Sequence, residues 1–198
     1  MSQYWICPRL WSKYTAYIIG GGPSLFDLDL SLIMDKNIIG VNDAYLLGEW
    51  VDVCIFGDMA WYEKHKGPLL DYNGLKVSCN DKTLGVQGIN TLQRKRKTVT
   101  TIPGTIGWYN NTGLAAINLA TILGCKKIVL LGFDMCFKGG ESNWHPNIRD
   151  QRPERYNDFL SAFDRCKWMY EQLGVEILNA TPDSKLNTFP QVELKDVI

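Results

Sequence analysis

Short apolar segments alternate along this chain with segments in which apolar residues recur every three or four positions. The apolar segments are rich in β-branched residues and end at glycine, asparagine or aspartate, which is typical of buried strands. Strands are predicted at 14–19, 37–41, 51–56, 126–131 and 175–178, with weaker candidates at 75–78 and 97–101. Strands that alternate with helices predict an α/β fold, a single Rossmann-like domain with a mostly parallel sheet and helices on both faces.

Helical spacing is clearest at 112–123 and at 154–173. A further helix is predicted to start at Ser24, whose hydroxyl can cap the first turn. The segment 138–153 shows little periodicity and is predicted to be a loop or lid. Because neither a linker nor a repeat interrupts the pattern, the whole chain, 1–198, is predicted to be one domain.

Composition and charge narrow the function classes. Of the 198 residues, 45% are hydrophobic and 21% are charged, which excludes a disordered chain. The 21 basic and 21 acidic residues cancel, so a nucleic acid is not the expected partner. No apolar stretch approaches the roughly 18 residues that span a bilayer, and the first residues lack the apolar core of a secretory signal. We therefore expect no integral membrane segment and a cytoplasmic location.

A glycine-rich turn is the first candidate site, since ligands of parallel sheets bind beyond the carboxyl ends of the strands. The turn, which follows a predicted strand, consists of Gly20, Gly21, Gly22, Pro23 and Ser24. Glycines let the backbone approach an anion, and a helix N-terminus supplies N–H groups, so the turn is a candidate phosphate site. The motif is neither a P-loop nor GxGxxG, and a merely tight turn is the alternative.

Polar residues follow other predicted strands as well. Asn42 can bond a base, a ribose or a phosphate, while Asp58 can bind a sugar hydroxyl or a metal, or act as a general acid. Helix capping is the alternative role for either residue. Asp134 follows the strand at 126–131. A second helix start, at Thr112-Gly113, can hold an anion or simply pack closely against the sheet.

The chain has two histidines, which the sequence places in different settings. His145 lies in a glycine-rich loop, where a functional imidazole is more common than on an apolar helix face. His65 stands beside two lysines and is predicted to be an exposed helix residue. The basic run 94–97 is predicted to be a solvated loop, with contact to a phosphate or nucleic acid as the alternative.

Taken in order, these motifs resemble the small bacterial sialyltransferases. The segment 18–25 resembles their glycine-rich nucleotide-binding turn, and 41–45 resembles their asparagine motif after the second strand. The block 111–134 resembles their (T/S)-x-G…A-x-x-LG…I-x-L-x-G-x-D pattern, and 179–186 is similar to their closing strand and turn. Asp58 stands where that family carries an asparagine.

The resemblance implies a glycosyltransferase with a nucleotide-activated sugar donor, a CMP-linked, sialic-acid-like sugar being favoured. His145 would be the general base that takes the proton of an acceptor hydroxyl, in an inverting transfer that needs no cofactor. Asp58 is the second catalytic candidate. The implied partners are the donor and a glycan or small-molecule acceptor, and a homo-oligomer is left open. The candidate donor-binding residues are Gly20, Gly21, Gly22, Pro23, Ser24, Asn42, Thr112, Gly113, Asp134 and Ser184.

The glycine turn and the segment 128–134 also resemble a wider clan. It contains the motility-accessory-factor flagellin glycosyltransferases and the archaeal 6-hydroxymethyl-dihydropterin diphosphokinase. As a diphosphokinase, the chain would need Mg as its cofactor, and Asp58 with Asp134 would bind the metal-nucleotide complex. A third alternative is a non-catalytic nucleotide-binding domain, in which His145 and Asp58 are replaceable.

Overall fold

The computed structural model describes residues 3–146 and 152–198 of the chain. The predicted loop or lid at 138–153 is therefore described in part, because 147–151 lie outside the described residues. The described strands are β1 Thr15–Ile19, β2 Asn37–Val41, β3 Val53–Phe56, β4 Leu75–Ser78, β5 Asn90–Thr91, β6 Gln93–Arg96, β7 Thr105–Trp108, β8 Lys127–Leu131 and β9 Glu176–Asn179.

A parallel sheet of seven strands, in the order β5-β4-β3-β2-β1-β8-β9, positions the site. The chain builds this sheet outward from β1 to β5 and then places β8 and β9 on the other side of β1. The strand order therefore reverses between β1 and β8, and such a reversal opens a crevice at the carboxyl ends of the two strands. Strands β6 and β7 form a separate parallel pair.

Helices cover both faces of the sheet, which confirms the predicted α/β fold. On one face, Ile18 and Ile39 pack with α3 (Thr112–Leu123) and with Phe163 of α4 (Pro153–Gln172). On the other face, Tyr17 and Ile19 pack with the 3-10 helices. No helix in the described ranges is long and apolar enough to cross a membrane. The α-helices are α1 Met59–His65, α2 Pro68–Asp71, α3 Thr112–Leu123 and α4 Pro153–Gln172, and the 3-10 helices are Pro23–Asp27, Leu30–Ile33, Asn42–Leu47, Asp81–Thr83 and Leu194–Asp196.

The central strand β1 shows why its sequence is continuously apolar. Its side chains alternate between the two faces, and both faces are covered, so the residues 16–19 are all buried. Helix α3 is buried along nearly its whole length, since it lies against the sheet and contacts α4. It ends at Gly124, whose φ of 106° is the left-handed conformation that favours glycine.

The predicted α-helix after the glycine turn is wrong. Two short 3-10 helices take its place, and Gly22, rather than Ser24, is the N-cap of the first. The chain returns to extended backbone at Leu28, and the carboxylate of Asp29 accepts the N–H of Ser31, which starts the second 3-10 helix. A short acidic side chain that bonds nearby backbone competes in this way with a continuous helix.

The predicted strand at 97–101 is also wrong. The strand pair of this region is β6 with β7, and Lys97, at φ 53°, lies just after β6. Strand β6 was not predicted because its sequence is polar, and the strand predictions relied on apolar segments. Its sequence is polar because the strand is only partly buried.

Candidate functional site

A cavity of about 580 Å³ lies at the carboxyl edge of the sheet. Of the described residues that line it, Val41 is the one that belongs to a strand of the seven-stranded sheet, and the others come from connections, from β6 and β7, and from helices. Three sequence candidates, Pro23, Ser24 and Ser184, are not among the described lining residues. The candidates that line the cavity are Gly20, Gly21, Gly22, Asn42, Asp58, Thr112, Gly113, Asp134 and His145.

The glycine turn is packed against the end of β8. A Cβ atom at Gly20 would lie 2.5 Å from the carbonyl oxygen of Gly132, and a Cβ at Gly22 would lie 1.7 Å from Oδ2 of Asp134. The N–H of Gly22 donates to the carbonyl of Gly132 at 2.9 Å. Glycine is needed here because two strand ends approach each other closely.

The N–H groups of this turn are mostly committed within the protein, and the role of the turn in holding a phosphate stays a prediction. The N–H of Gly22 is bonded to Gly132, Pro23 has none, and the N–H of Ser24 donates to Oδ1 of Asp134 at 3.0 Å. The Ser24 hydroxyl donates to Oδ2 of the same carboxylate at 2.8 Å. Burial raises the pKa of Asp134, and these two hydrogen bonds act in the opposite direction. The turn thus anchors Asp134 and shapes the cavity wall.

The N-terminus of α3 is a second feature of the cavity that is suited to an anion. Thr112 and Gly113 form its first turn and line the cavity, and Asn111 caps it by accepting the N–H of Leu114 at 3.0 Å. Helix α3 has twelve residues, so its dipole and its first N–H groups favour a negative charge at this end. A Cβ at Gly113 would lie 2.7 Å from the ring of Phe133, so glycine lets the helix approach the end of β8.

Within the described residues, three buried polar atoms around the cavity have no hydrogen-bond partner: Oδ1 of Asn42, Nε of Arg94 and Nδ1 of His145. More than 90% of buried polar groups in proteins are hydrogen-bonded, so these three atoms are available to a ligand or to water in the cavity. Asn42 has a φ of 53°, a conformation that asparagine tolerates better than most residues.

Arg94 lines the cavity, although a solvated loop was the favoured prediction for the run 94–97. Its guanidinium lies 4.0 Å from the ring centre of Trp108, and its Nη2 donates to the carbonyl of Gly57. Arg94 and Trp108 both line the cavity, so the basic run 94–97 is not simply a solvated loop. A fixed, stacked arginine at a cavity wall is suited to a planar or anionic ligand.

Asp58 and Ser184 have structural partners. Oδ1 of Asp58 accepts the N–H groups of Ala60 at 2.8 Å and Trp61 at 3.4 Å, which caps α1. The hydroxyl of Ser184 donates to the carbonyl of Phe133 at 2.7 Å and accepts the N–H of Leu186 at 3.0 Å. Asp58 still lines the cavity, so its catalytic or metal-binding role stays a prediction, as does the role of Ser184 near a base or ribose.

His145 is held over the glycine turn by its neighbour Trp144. The Trp144 backbone N–H donates to the carbonyl of Gly21 at 3.0 Å, and its indole N–H donates to the carbonyl of Gly20 at 3.3 Å. The His145 side chain is 10% exposed, and its Nε2 lies 3.7 Å from Oδ2 of Asp43. Burial lowers the pKa of His145, which Asp43 raises in part, so the imidazole is neutral at pH 7.

The prediction for His65 is wrong, because its side chain is 9% exposed. Its ring stacks on Trp61 with 4.2 Å between ring centres, and its Nε2 lies 3.3 Å from Oδ1 of Asp43. Trp61 and His65 are one helical turn apart and therefore share a face of α1. The spacing of one helical turn between Trp61 and His65 could have indicated a buried position for His65. The neighbouring lysines favoured an exposed one instead.

Asp43, Tyr156 and Arg155 also line the cavity, although they are not among the predicted catalytic and donor-binding residues. Asp43 directly follows Asn42 and lies two residues after β2, and this position at the end of a strand could have indicated it as a site residue. Tyr156 is buried on α4, where burial raises its pKa to about 12, so its hydroxyl stays protonated. Arg155 precedes it on the same wall and adds a second cation.

The fold is similar to that of a solved enzyme, the sialyltransferase CstII from Campylobacter jejuni, in complex with the substrate analogue CMP-3FNeuAc. The TM-score is 0.56 at 14% sequence identity, and the match covers 90% of this chain and 86% of that chain. No family model matches the chain, and no curated protein matches its sequence. The likeness therefore places this chain with the Rossmann-like α/β fold that this sialyltransferase has.

Proposed function

We propose that the protein is a glycosyltransferase that uses a nucleotide-activated sugar donor, with a CMP-linked acidic sugar as the favoured donor. The observation that carries the proposal is the group of three buried, unpaired polar atoms of Asn42, Arg94 and His145 around one cavity. The same cavity is lined by Gly20 and Gly132, which follow β1 and β8 at the reversal of strand order, where sheets of this kind bind nucleotides. The fold likeness to a sialyltransferase that was solved with a CMP-linked analogue supports the same reading.

The described lining of the cavity carries two arginines and three aspartates, and an anionic donor would be held by the cationic and N–H groups among them. Arg94 and Arg155 supply positive charge, and the N-terminus of α3 supplies N–H groups. Two nearby carboxylates already accept hydrogen bonds: Asp58 caps α1, and Asp134 is bonded twice by Ser24. These bonds reduce the repulsion that a carboxylate would otherwise exert on a phosphate.

In the proposed reaction, His145 acts as the general base. The acceptor oxygen forms a bond to the anomeric carbon as the bond from that carbon to the donor phosphate oxygen breaks, and the nucleotide leaves with the electron pair. The acceptor proton passes to the unpaired Nδ1 of His145, and the imidazolium later releases it to water. A neutral imidazole at pH 7 is suited to this step, which typically contributes about 100-fold to 10,000-fold in rate.

Isothermal titration with CMP, CDP, UDP, GDP and ATP tests the donor class. We expect CMP to bind most tightly, and we expect the affinity to fall when Arg94 is replaced. If none of the five nucleotides binds, every nucleotide-dependent version of the proposal is wrong.

Turnover of the donor that binds tests the base. His145→Ala should lower kcat roughly 100-fold or more while nucleotide affinity changes little. Glu141→Gln, an exposed residue of the same loop, is the matched control and should keep wild-type turnover. Unchanged turnover in His145→Ala would remove the base from the mechanism.

A magnesium requirement for nucleotide binding would replace this proposal with the Mg-dependent diphosphokinase. Within 3–146 and 152–198, no group of three or more His, Cys, Asp or Glu side chains is arranged to hold a metal. Asp58 would then hold the ion together with the phosphates of the nucleotide, which is a common arrangement for Mg²⁺. Titrations with and without EDTA separate the two functions, and nucleotide binding without any turnover would favour the non-catalytic domain.

A further inference from the structure

At the wall of the cavity, a buried carboxylate lies between the two histidines of the chain. Oδ1 of Asp43 is 3.3 Å from Nε2 of His65, and Oδ2 is 3.7 Å from Nε2 of His145. The indole N–H of Trp61 donates to Oδ2 at 2.8 Å. The Asp43 side chain is 4% exposed, so this carboxylate acts on its neighbours with little screening by water.

The hydrogen bond to Tyr45 defines which nitrogen of His65 carries the proton. The Tyr45 hydroxyl lies 3.0 Å from Nδ1 of His65, and burial raises the pKa of Tyr45 to about 12, so the hydroxyl is protonated and can donate. Nδ1 of His65 then accepts, and its hydrogen is on Nε2, directed toward Asp43.

The same carboxylate selects the tautomer of His145. A carboxylate beside Nε2 favours a hydrogen on that nitrogen, which leaves Nδ1 with a lone pair. Nδ1 is the nitrogen that is buried without a partner, so it is the one that can take a proton from a ligand. This is the arrangement in which an acid orients a histidine base for a third group.

We propose that Asp43 is the positioning residue of His145, and that His65, Trp61 and Tyr45 hold Asp43 in place behind it. The inference deepens the proposed function and rests on it for the identity of the reaction. When His145 takes the acceptor proton, the imidazolium Nε2–H faces Asp43, which stabilises the charge. His65 stays neutral, because its Nδ1 accepts from Tyr45.

The two histidines compete for one carboxylate. Among the described residues, the charged groups that act on His145 are Asp43, which raises its pKa, and His65, which lowers it. Those that act on His65 are Asp43 and Lys64, and Tyr45 is its hydroxyl neighbour. Removing Asp43 should therefore lower the pKa of His145, and removing His65 should raise it. Packing alone does not produce opposite shifts.

Nuclear magnetic resonance of the imidazole Hε1 protons tests this directly, since the chain has two histidines and each signal is assigned by one His→Gln variant. The full chain is used without a polyhistidine tag. We expect Asp43→Asn to lower the midpoint of the His145 titration by about 1 pH unit. We expect His65→Gln to raise it. Asp35→Asn, an exposed acid, is the control and should leave both midpoints unchanged.

An unchanged His145 midpoint in a folded Asp43→Asn variant overturns the proposal. If that variant does not fold, His65→Gln decides, and the absence of an upward shift overturns it. These readouts need no substrate, so they are separate from the proposed function. If the titrations move as expected but no nucleotide binds, the proposed function fails and the assignment of Asp43 as the partner of His145 stands.

Turnover of the bound donor gives a second readout. Asp43→Asn should lower kcat without raising the donor KM, and the acid limb of its rate profile should move to lower pH. A rise in KM with unchanged kcat would show that Asp43 contacts the donor instead, and would overturn the positioning role.

Discussion

At the scale of single residues, the cavity depends on side chains whose roles are set by very local geometry. Gly22 is the sharpest case, because the space of a methyl group there is already occupied by the Asp134 carboxylate. His145 owes its place to Trp144, which bonds the two carbonyls beneath it. Such contacts join residues that are more than 100 positions apart, so no local pattern in the sequence could have indicated them.

Gly22→Ala should destabilise the protein. The new Cβ would displace Asp134 and break its two hydrogen bonds to Ser24, which should lower the free energy of unfolding by about 1–3 kcal/mol. Gly67→Ala is the matched control, since nothing lies within 4 Å of its Cβ and its φ is −65°. Urea unfolding of both variants checks the prediction, and equal midpoints would contradict it.

Arg94→Met should weaken nucleotide binding roughly 10-fold to 100-fold, because a charged hydrogen bond is worth about 1.5–3 kcal/mol. Arg94→Lys should restore little of it, since an ammonium cannot stack on Trp108 as a planar guanidinium does. Arg96→Met, on the same strand but exposed, is the control. Titration calorimetry measures all three, and equal losses at both positions would contradict a specific role.

At the scale of elements, the apolar strands and the two long helices were predictable, because continuous burial leaves a continuous apolar pattern. β6 was not, since its sequence QRKR is polar and its partner β7 lies nine residues further on. The helix after the glycine turn was predicted from apolar residues at helical spacing and a possible cap at Ser24, and the local hydrogen bond of Asp29 divides it. The spacing of apolar residues indicates which face of a segment is buried, but it does not indicate where a turn interrupts the helix.

A substitution in the N-cap of α3 is expected to preserve the free energy of unfolding and to weaken nucleotide binding. Asn111→Asp keeps the cap and adds a negative charge at the N-terminus, so the free energy of unfolding should stay level or rise by up to about 1 kcal/mol. The same charge should weaken nucleotide binding roughly tenfold if the phosphate lies there. Asn111→Ser, a neutral cap, is the comparison. Equal affinity in the two variants would place the phosphate elsewhere.

At the scale of the whole molecule, the zero net charge says little about the site, because a few fixed groups at one edge of the sheet, Arg94, Arg155 and the N-terminus of α3, matter more to a bound anion than the sum of the surface. The two buried histidines make the stability of the protein depend on pH. Burial lowers the pKa of both below the value of about 6.5 that they have in the unfolded chain.

Stability should therefore decrease as the pH falls below about 6.5 toward the lower pKa values of the folded state. In that window the unfolded chain binds more protons than the folded one, so protonation favours unfolding. Melting temperatures at pH 7.5 and 5.5 measure the loss. The variant with both His65→Gln and His145→Gln should lose most of this difference, and a difference as large as that of the wild type would contradict the assignment.

The cavity is lined almost entirely by the segments that join the strands, with Val41 the one described contribution from the main sheet. Changes in those segments alter what the cavity accepts and leave the packing of the sheet intact. A scaffold of this kind can acquire a new substrate by a few exchanges at one edge. Sequence similarity is then expected to fade long before the architecture does, which is the situation of a chain that shares a fold at 14% identity.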